Sequence, residues 1–211
     1  MRNSNGSKYI IIMALLISVV ALSVGFAALS STLTIKSSAT VSNDEGFDVR
    51  LSSSKTALAT NNITPTTSGG ATGTAATISA GTAGQGNQIS GIAATFTAPG
   101  QSVVYTLAAY NNGIFAGYLK SITFGSKTCT AGTGTTQSYV NSACTGISIT
   151  VKVGTTTYNA TNSSISGHSL AVGAGEDVVV TVAYASGSAV ADGDFTVAFG
   201  DIVLNYSSTD A

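Results

Sequence analysis

The chain has 211 residues, enough for one or at most two domains. Only 8% of them are charged, against roughly 25% in ordinary soluble domains, and the formal net charge is -1. That excludes a polybasic surface, and with it nucleic acid or anionic lipid as a partner.

Hydrophobic residues reach 44%, with 24 Gly, 2 Pro and no Trp. Ser and Thr do the solubilising that Lys and Glu do elsewhere. Thr, Val and Ile suit a pleated, half-buried surface, and Gly, Asn and Ser suit the turns between strands. The composition points to an all-β extracellular protein.

Arg2 and Lys8 precede a mostly apolar run from Ile10 to Leu29, and no acid occurs before Asp44. This is the pattern of an export signal. Gly25-Phe26-Ala27 supplies small residues at the -3 and -1 positions of a signal-peptidase site, so cleavage is expected between Ala27 and Ala28. Residues 1–27 are then signal peptide and 28–211 one β-sandwich domain. Two other fates stay open. A run of about 20 apolar residues is long enough to remain as a membrane anchor. It could also be kept as the filament helix of a type IV pilin-like subunit cut after Gly6, although an acid shortly after that cut is missing.

Behind the signal, Leu33, Ile35, Ser37, Ala39 and Val41 alternate with Thr and other polar residues, which predicts a strand with one apolar face. Phe47, Val49 and Leu51 repeat the pattern after a turn at Asn43–Gly46. Residues 52–91 are weakly patterned, with a short strand expected near Ala75–Ala80. Ser102–Tyr110 is a strong strand with Val103, Tyr105, Leu107 and Ala109 on one face. Asn111-Asn112-Gly113 reads as a hairpin turn, since Asn and Gly tolerate positive φ, and Ile114–Phe124 is expected to return antiparallel. Gly125–Gly146 reads as a loop. Gly146–Val153, Thr155–Tyr158, Glu176–Ser186 and one long run at Gly193–Tyr206 complete the series. No segment after the signal has a helical period. Eight or nine such strands predict a two-sheet antiparallel sandwich of jelly-roll type.

Cys129 and Cys144 are the only thiols, and in an exported chain they are expected to form a disulfide closing that loop. Two Cys and one His do not make a closed zinc shell. His168, the single histidine, lies in a Ser-Gly-His-Ser stretch and reads as a surface-loop residue. Gly-x-Ser-x-Gly and His-Glu-x-x-His are both missing. No catalytic, metal or cofactor site is expected, and the chain is not read as an enzyme. Sequons begin at Asn62, Asn159, Asn162 and Asn205, leaving glycosylation open.

Gly25-Phe26-Ala27-Ala28-Leu29-Ser30-Ser31 followed at once by a strand resembles the precursors of the TasA/camelysin group, which a dedicated SipW-type signal peptidase processes. Pro99-Gly100-Gln101 through Tyr105, Leu107 and Asn111-Asn112-Gly113 is similar to that group's Pro-Gly turn, alternating strand and Asn-x-Gly turn. The resemblance implies a jelly-roll subunit of a biofilm matrix fibre that donates its N-terminal strand to the next copy. Residues 28–41 would be the donor, with Leu33, Ile35, Ala39 and Val41 on its apolar face. The expected protein is secreted to the cell surface and touches the membrane only through its signal. Its expected partners are further copies of itself and other matrix or surface components. The alternative class is a monomeric secreted adhesin or carbohydrate-binding sandwich.

Overall fold

The computed structural model describes residues 46–59, 62–79 and 87–210. The signal segment, its cleavage point at Ala27 and Ala28, and the donor residues Leu33, Ile35, Ala39 and Val41 lie outside these. Within them the protein is all-β, its sheets are antiparallel, and one short helix interrupts the pattern.

The smaller sheet has the order β1 (Val49–Ser52), β8 (Ser102–Asn111), β14 (Gly175–Tyr184), β11 (Ile147–Val153), β12 (Thr156–Tyr158), and β3 (Thr66–Ser68) covers the other end of β8 beside β1. Its strands form because Val and Thr alternate through them. Val103, Tyr105, Leu107 and Ala109 stand opposite Val182, Val180, Val178 and Glu176, and the three valines are buried with their partners. Each fully buried aliphatic side chain contributes roughly 1.5–3 kcal/mol.

The second layer consists of two ladders. One is β10 (Lys127–Ala131), β15 (Phe195–Phe199), β7 (Ala93–Phe96), β4 (Thr72–Gly73). The other is β13 (Ser169–Leu170), β9 (Gly117–Thr123), β16 (Ile202–Ser207), β6 (Asn87–Ser90), β5 (Ala76–Ser79), β2 (Asn62–Ile63). They share one register. Lys127 faces Phe199, and four residues back along one strand and four onward along the other, Thr123 faces Val203. The same continuity links β7–β15 to β6–β16 and β4–β7 to β5–β6. Four long strands therefore cross both ladders and bend together along one crease. Gly91, with φ +76°, lies on that crease, and Gly125 faces Gly200 across it. On β15–β16 the buried residues run Phe195, Val197, Phe199 and then Ile202, Leu204, Tyr206, so the inward phase slips by one at Gly200-Asp201.

Both layers supply one core cluster. At one end Tyr184 of the smaller sheet packs edge-on against Phe195 of the larger, with ring centres 5.5 Å apart, and Phe96 lies 5.9 Å from Tyr184. Edge-to-face pairs of this kind add about 0.5–1.5 kcal/mol beyond their buried area.

Three expectations need correcting. Asn111-Asn112-Gly113 is not a hairpin turn: none of the three has positive φ, and β9 does not pair with β8. The chain crosses instead to the other sheet, because the Asn111 side chain is buried as a bracket for two loops. The stretch Gly125–Gly146, read as a loop, holds β10 and the helix α1 (Gln137–Cys144). One turn of apolar spacing, Val140 and Ala143, was enough to seat that helix on the core, too short a signal for periodicity to register. Finally, the run Gly193–Tyr206 is two strands separated by the crease.

Candidate functional site

Asn111 ends β8 and is fully buried. Its Nδ2 donates to the Phe115 carbonyl at 2.8 Å and to the Leu170 carbonyl at 3.1 Å, while Oδ1 accepts from Gly113 N–H at 3.0 Å. Its backbone N–H donates to Ala174, and its carbonyl accepts from Gly173. One side chain thus organises the β8–β9 and β13–β14 loops. On the resulting tip Ile114, Phe115 and Val172 are 71%, 49% and 53% exposed. The first described residue, Gly46, is tied to the same tip, since Ile114 N–H donates to its carbonyl at 2.6 Å. Asp48 is ion-paired with Arg50 and also accepts from Asn112 Nδ2 at 3.1 Å.

Beside this tip lies a polar cluster. His168 Nε2 is 2.8 and 3.0 Å from the two carboxylate oxygens of Glu176, and Tyr206 donates its hydroxyl to Glu176 Oε1 at 3.1 Å. A carboxylate only accepts, so Nε2 carries the proton here. The His168 and Glu176 side chains are only 17% and 13% exposed. His168 is therefore an interior partner of a strand residue, not the surface-loop histidine expected. Burial first, then the Glu176 charge, pushes the Tyr206 phenol well above its ordinary value, and the same two causes raise Tyr158. Glu176 accepts from both His168 and Tyr206, and among the described residues no serine, threonine or cysteine side chain hydrogen-bonds to the His168 ring. The cluster ties β14 to β16 and offers no nucleophile.

An open pocket of about 370 Å³ is lined by Lys120, Ser163, Ser164, Ile165, Ser166, Ser207 and Asp210. Lys120 and Asp210 pair across it at 3.6 Å. It has no aromatic platform for stacking a sugar ring. Among the described residues no three His, Cys, Asp or Glu side chains converge, and no helix is long and apolar enough to cross a membrane.

Cys129 and Cys144 are disulfide-bonded, joining β10 to the end of α1. Asn62 and Asn159 are exposed, whereas Asn162 pairs its backbone with Ile122 in both directions and Asn205 donates to Ser121 Oγ at 2.8 Å. The residues that build the tip, Asn111 above all, carried no sequence signal beyond their turn propensity. The exposed apolar pair Ile114-Phe115 was legible only as two strand residues. No family model, no curated protein and no solved structure matches this chain.

Proposed function

We propose that the protein is a secreted structural subunit of an extracellular surface or matrix fibre, of the TasA/camelysin kind, in which each copy donates residues 28–41 as a strand to the next. The observation that carries the reading is the apolar alternation Leu33, Ile35, Ala39, Val41 directly ahead of a domain whose first described residue is pinned to an exposed apolar tip. Gly46 lies at an end of the sandwich, a position from which a strand joined to it can reach a neighbour. Fourteen extended residues span about 46 Å at roughly 3.3 Å each, and an added strand gains a full row of main-chain hydrogen bonds.

The strand order supports a jelly roll. Eight strands are counted as β6–β7, β8, β9–β10, β11, β12, β13, β14 and β15–β16. The larger sheet then runs first, eighth, third, sixth, and the smaller runs second, seventh, fourth, fifth. That is the nested order of a long hairpin wrapped into two layers. β1 to β5 are additions at the open side of the first and second strands. The disulfide is compatible with an oxidising, extracellular setting.

The test compares the protein beginning at Ala28 with one beginning at Ser42, by sedimentation and negative-stain electron microscopy. Filaments from the first and monomers from the second are expected. Filaments from both would remove strand donation, and filaments from neither would remove the fibre itself.

A further inference from the structure

In β10 the backbone groups of Thr128 and Thr130 face β15, and those of Cys129 and Ala131 face away from it. The flanking bonds Gly132 N–H to Asp194 and Gly200 N–H to Ser126 fix that phase. An outward row of this kind is a template for another chain unless something covers it. Here α1 lies along it. Ala131 N–H donates to Gln137 Oε1 at 2.9 Å, and Gln137 Nε2 donates to the Cys129 carbonyl at 3.1 Å. The helix is held at its other end by the Cys129–Cys144 bond and by Lys127 Nζ, which donates to the Cys144 carbonyl at 2.7 Å. Its start is fixed where Thr136 N–H donates to Asp192 at 2.9 Å.

We propose that α1 is an edge guard locked by the disulfide, and that the edge beneath it is a pairing surface for β10 of a second copy. Reduction opens it. A dithiol supplies two electrons and two protons and becomes a disulfide, Cys129 and Cys144 become thiols, and no other bond changes. Both sulfur-bearing residues are partly exposed, so a small dithiol can reach them. The occupant follows from the strand itself. Thr128, Cys129 and Thr130 are uncharged and fit a pleated edge. In an antiparallel pair centred on Cys129, each Lys127 faces the other copy's Ala131, so the two ammonium groups sit at opposite ends of the pair. This surface uses no residue before Gly46 and goes beyond strand donation.

The experiment compares the disulfide-intact protein with Cys129→Ser/Cys144→Ser, and with that double variant carrying Ala131→Pro. Mass is read by sedimentation and amide protection by hydrogen exchange. Proline at 131 removes only an outward donor, so the bonds to β15 survive it. The expected result is association in the double variant beyond that of the intact protein, together with a protected Ala131 amide, and loss of that extra association with Ala131→Pro. Extra association that survives Ala131→Pro overturns the proposal, as does a folded double variant with none. Should the double variant fail to fold, Gln137→Ala keeps the disulfide and carries the test. Ala131 N–H is then expected to exchange on the order of tenfold faster, and an unchanged rate overturns the guard.

Discussion

The side chain of Asn87 is hydrogen-bonded to the free side of β1 as a neighbouring strand would be. Leu51 N–H donates to Asn87 Oδ1 at 3.0 Å, and Asn87 Nδ2 donates to the Val49 carbonyl at 3.0 Å. Asn87 opens β6 in the larger sheet and is 3% exposed, so one buried amide stitches the two layers together. Replacing it with Ala would leave a buried N–H and a buried carbonyl without partners, each worth about 1–3 kcal/mol. Asn87→Ala should therefore cost about 2–6 kcal/mol of stability, read as a lower urea midpoint at unchanged slope. Asn87→Asp should fall similarly at neutral pH, since a carboxylate cannot donate to Val49.

The Tyr206 phenol predicts an alkaline limit. Its folded value is raised by burial and by Glu176, so its stabilising contribution is complete below the ordinary tyrosine range near 10 and is lost as pH rises through the folded value. Unfolding should begin above about pH 10, with tyrosinate absorbance rising in step with loss of structure. Tyr206→Phe should cost about 1 kcal/mol at neutral pH, for the hydrogen bond it removes, and should flatten that alkaline dependence. An unchanged alkaline profile would place the sensitive phenol elsewhere.

Reducing the disulfide should lower stability by about 3 kcal/mol, because the bridge spans a separation of 15 residues. Denaturant titration with and without a dithiol measures it. Amides in the middle of the β8–β14 ladder should remain the most protected in both states.

Ile114→Ser should leave the midpoint within about 0.5 kcal/mol, since its side chain mostly faces water, whereas Phe115→Ser at a half-buried ring should cost about 1–2 kcal/mol. Retention on a hydrophobic column should nevertheless fall. A large loss of stability would instead make the tip a structural plug.

The strands were legible because alternation is local: Val103, Tyr105, Leu107 and Ala109 announce β8 without any knowledge of the fold. Connections were less so. Asn111-Asn112-Gly113 has the composition of a hairpin, yet the buried amide of Asn111 decides the path by bonding Leu170, far along the chain. The slip at Gly200-Asp201 was present in the spacing Phe195, Val197, Phe199, Ile202, Leu204, Tyr206, but an unbroken apolar run hides it. Asn87, Gln137 and the His168–Glu176 pair were invisible, because a polar residue reveals nothing of its partner until the sheets are assembled.

At the crease the ladders of the larger sheet stay in step, so the bend there does not come from an inserted residue. It comes from closeness. A carbon added to Gly125 would collide with the main chain of Gly200, and one added to Gly200 would sit 3.2 Å from the Gly125 Cα. A side chain at Gly125 would push neighbouring strands apart where the upper and lower halves meet. The bow of the whole layer thus depends on Gly125, where nothing larger than a hydrogen atom fits, and on the tight approach at Gly200 opposite it.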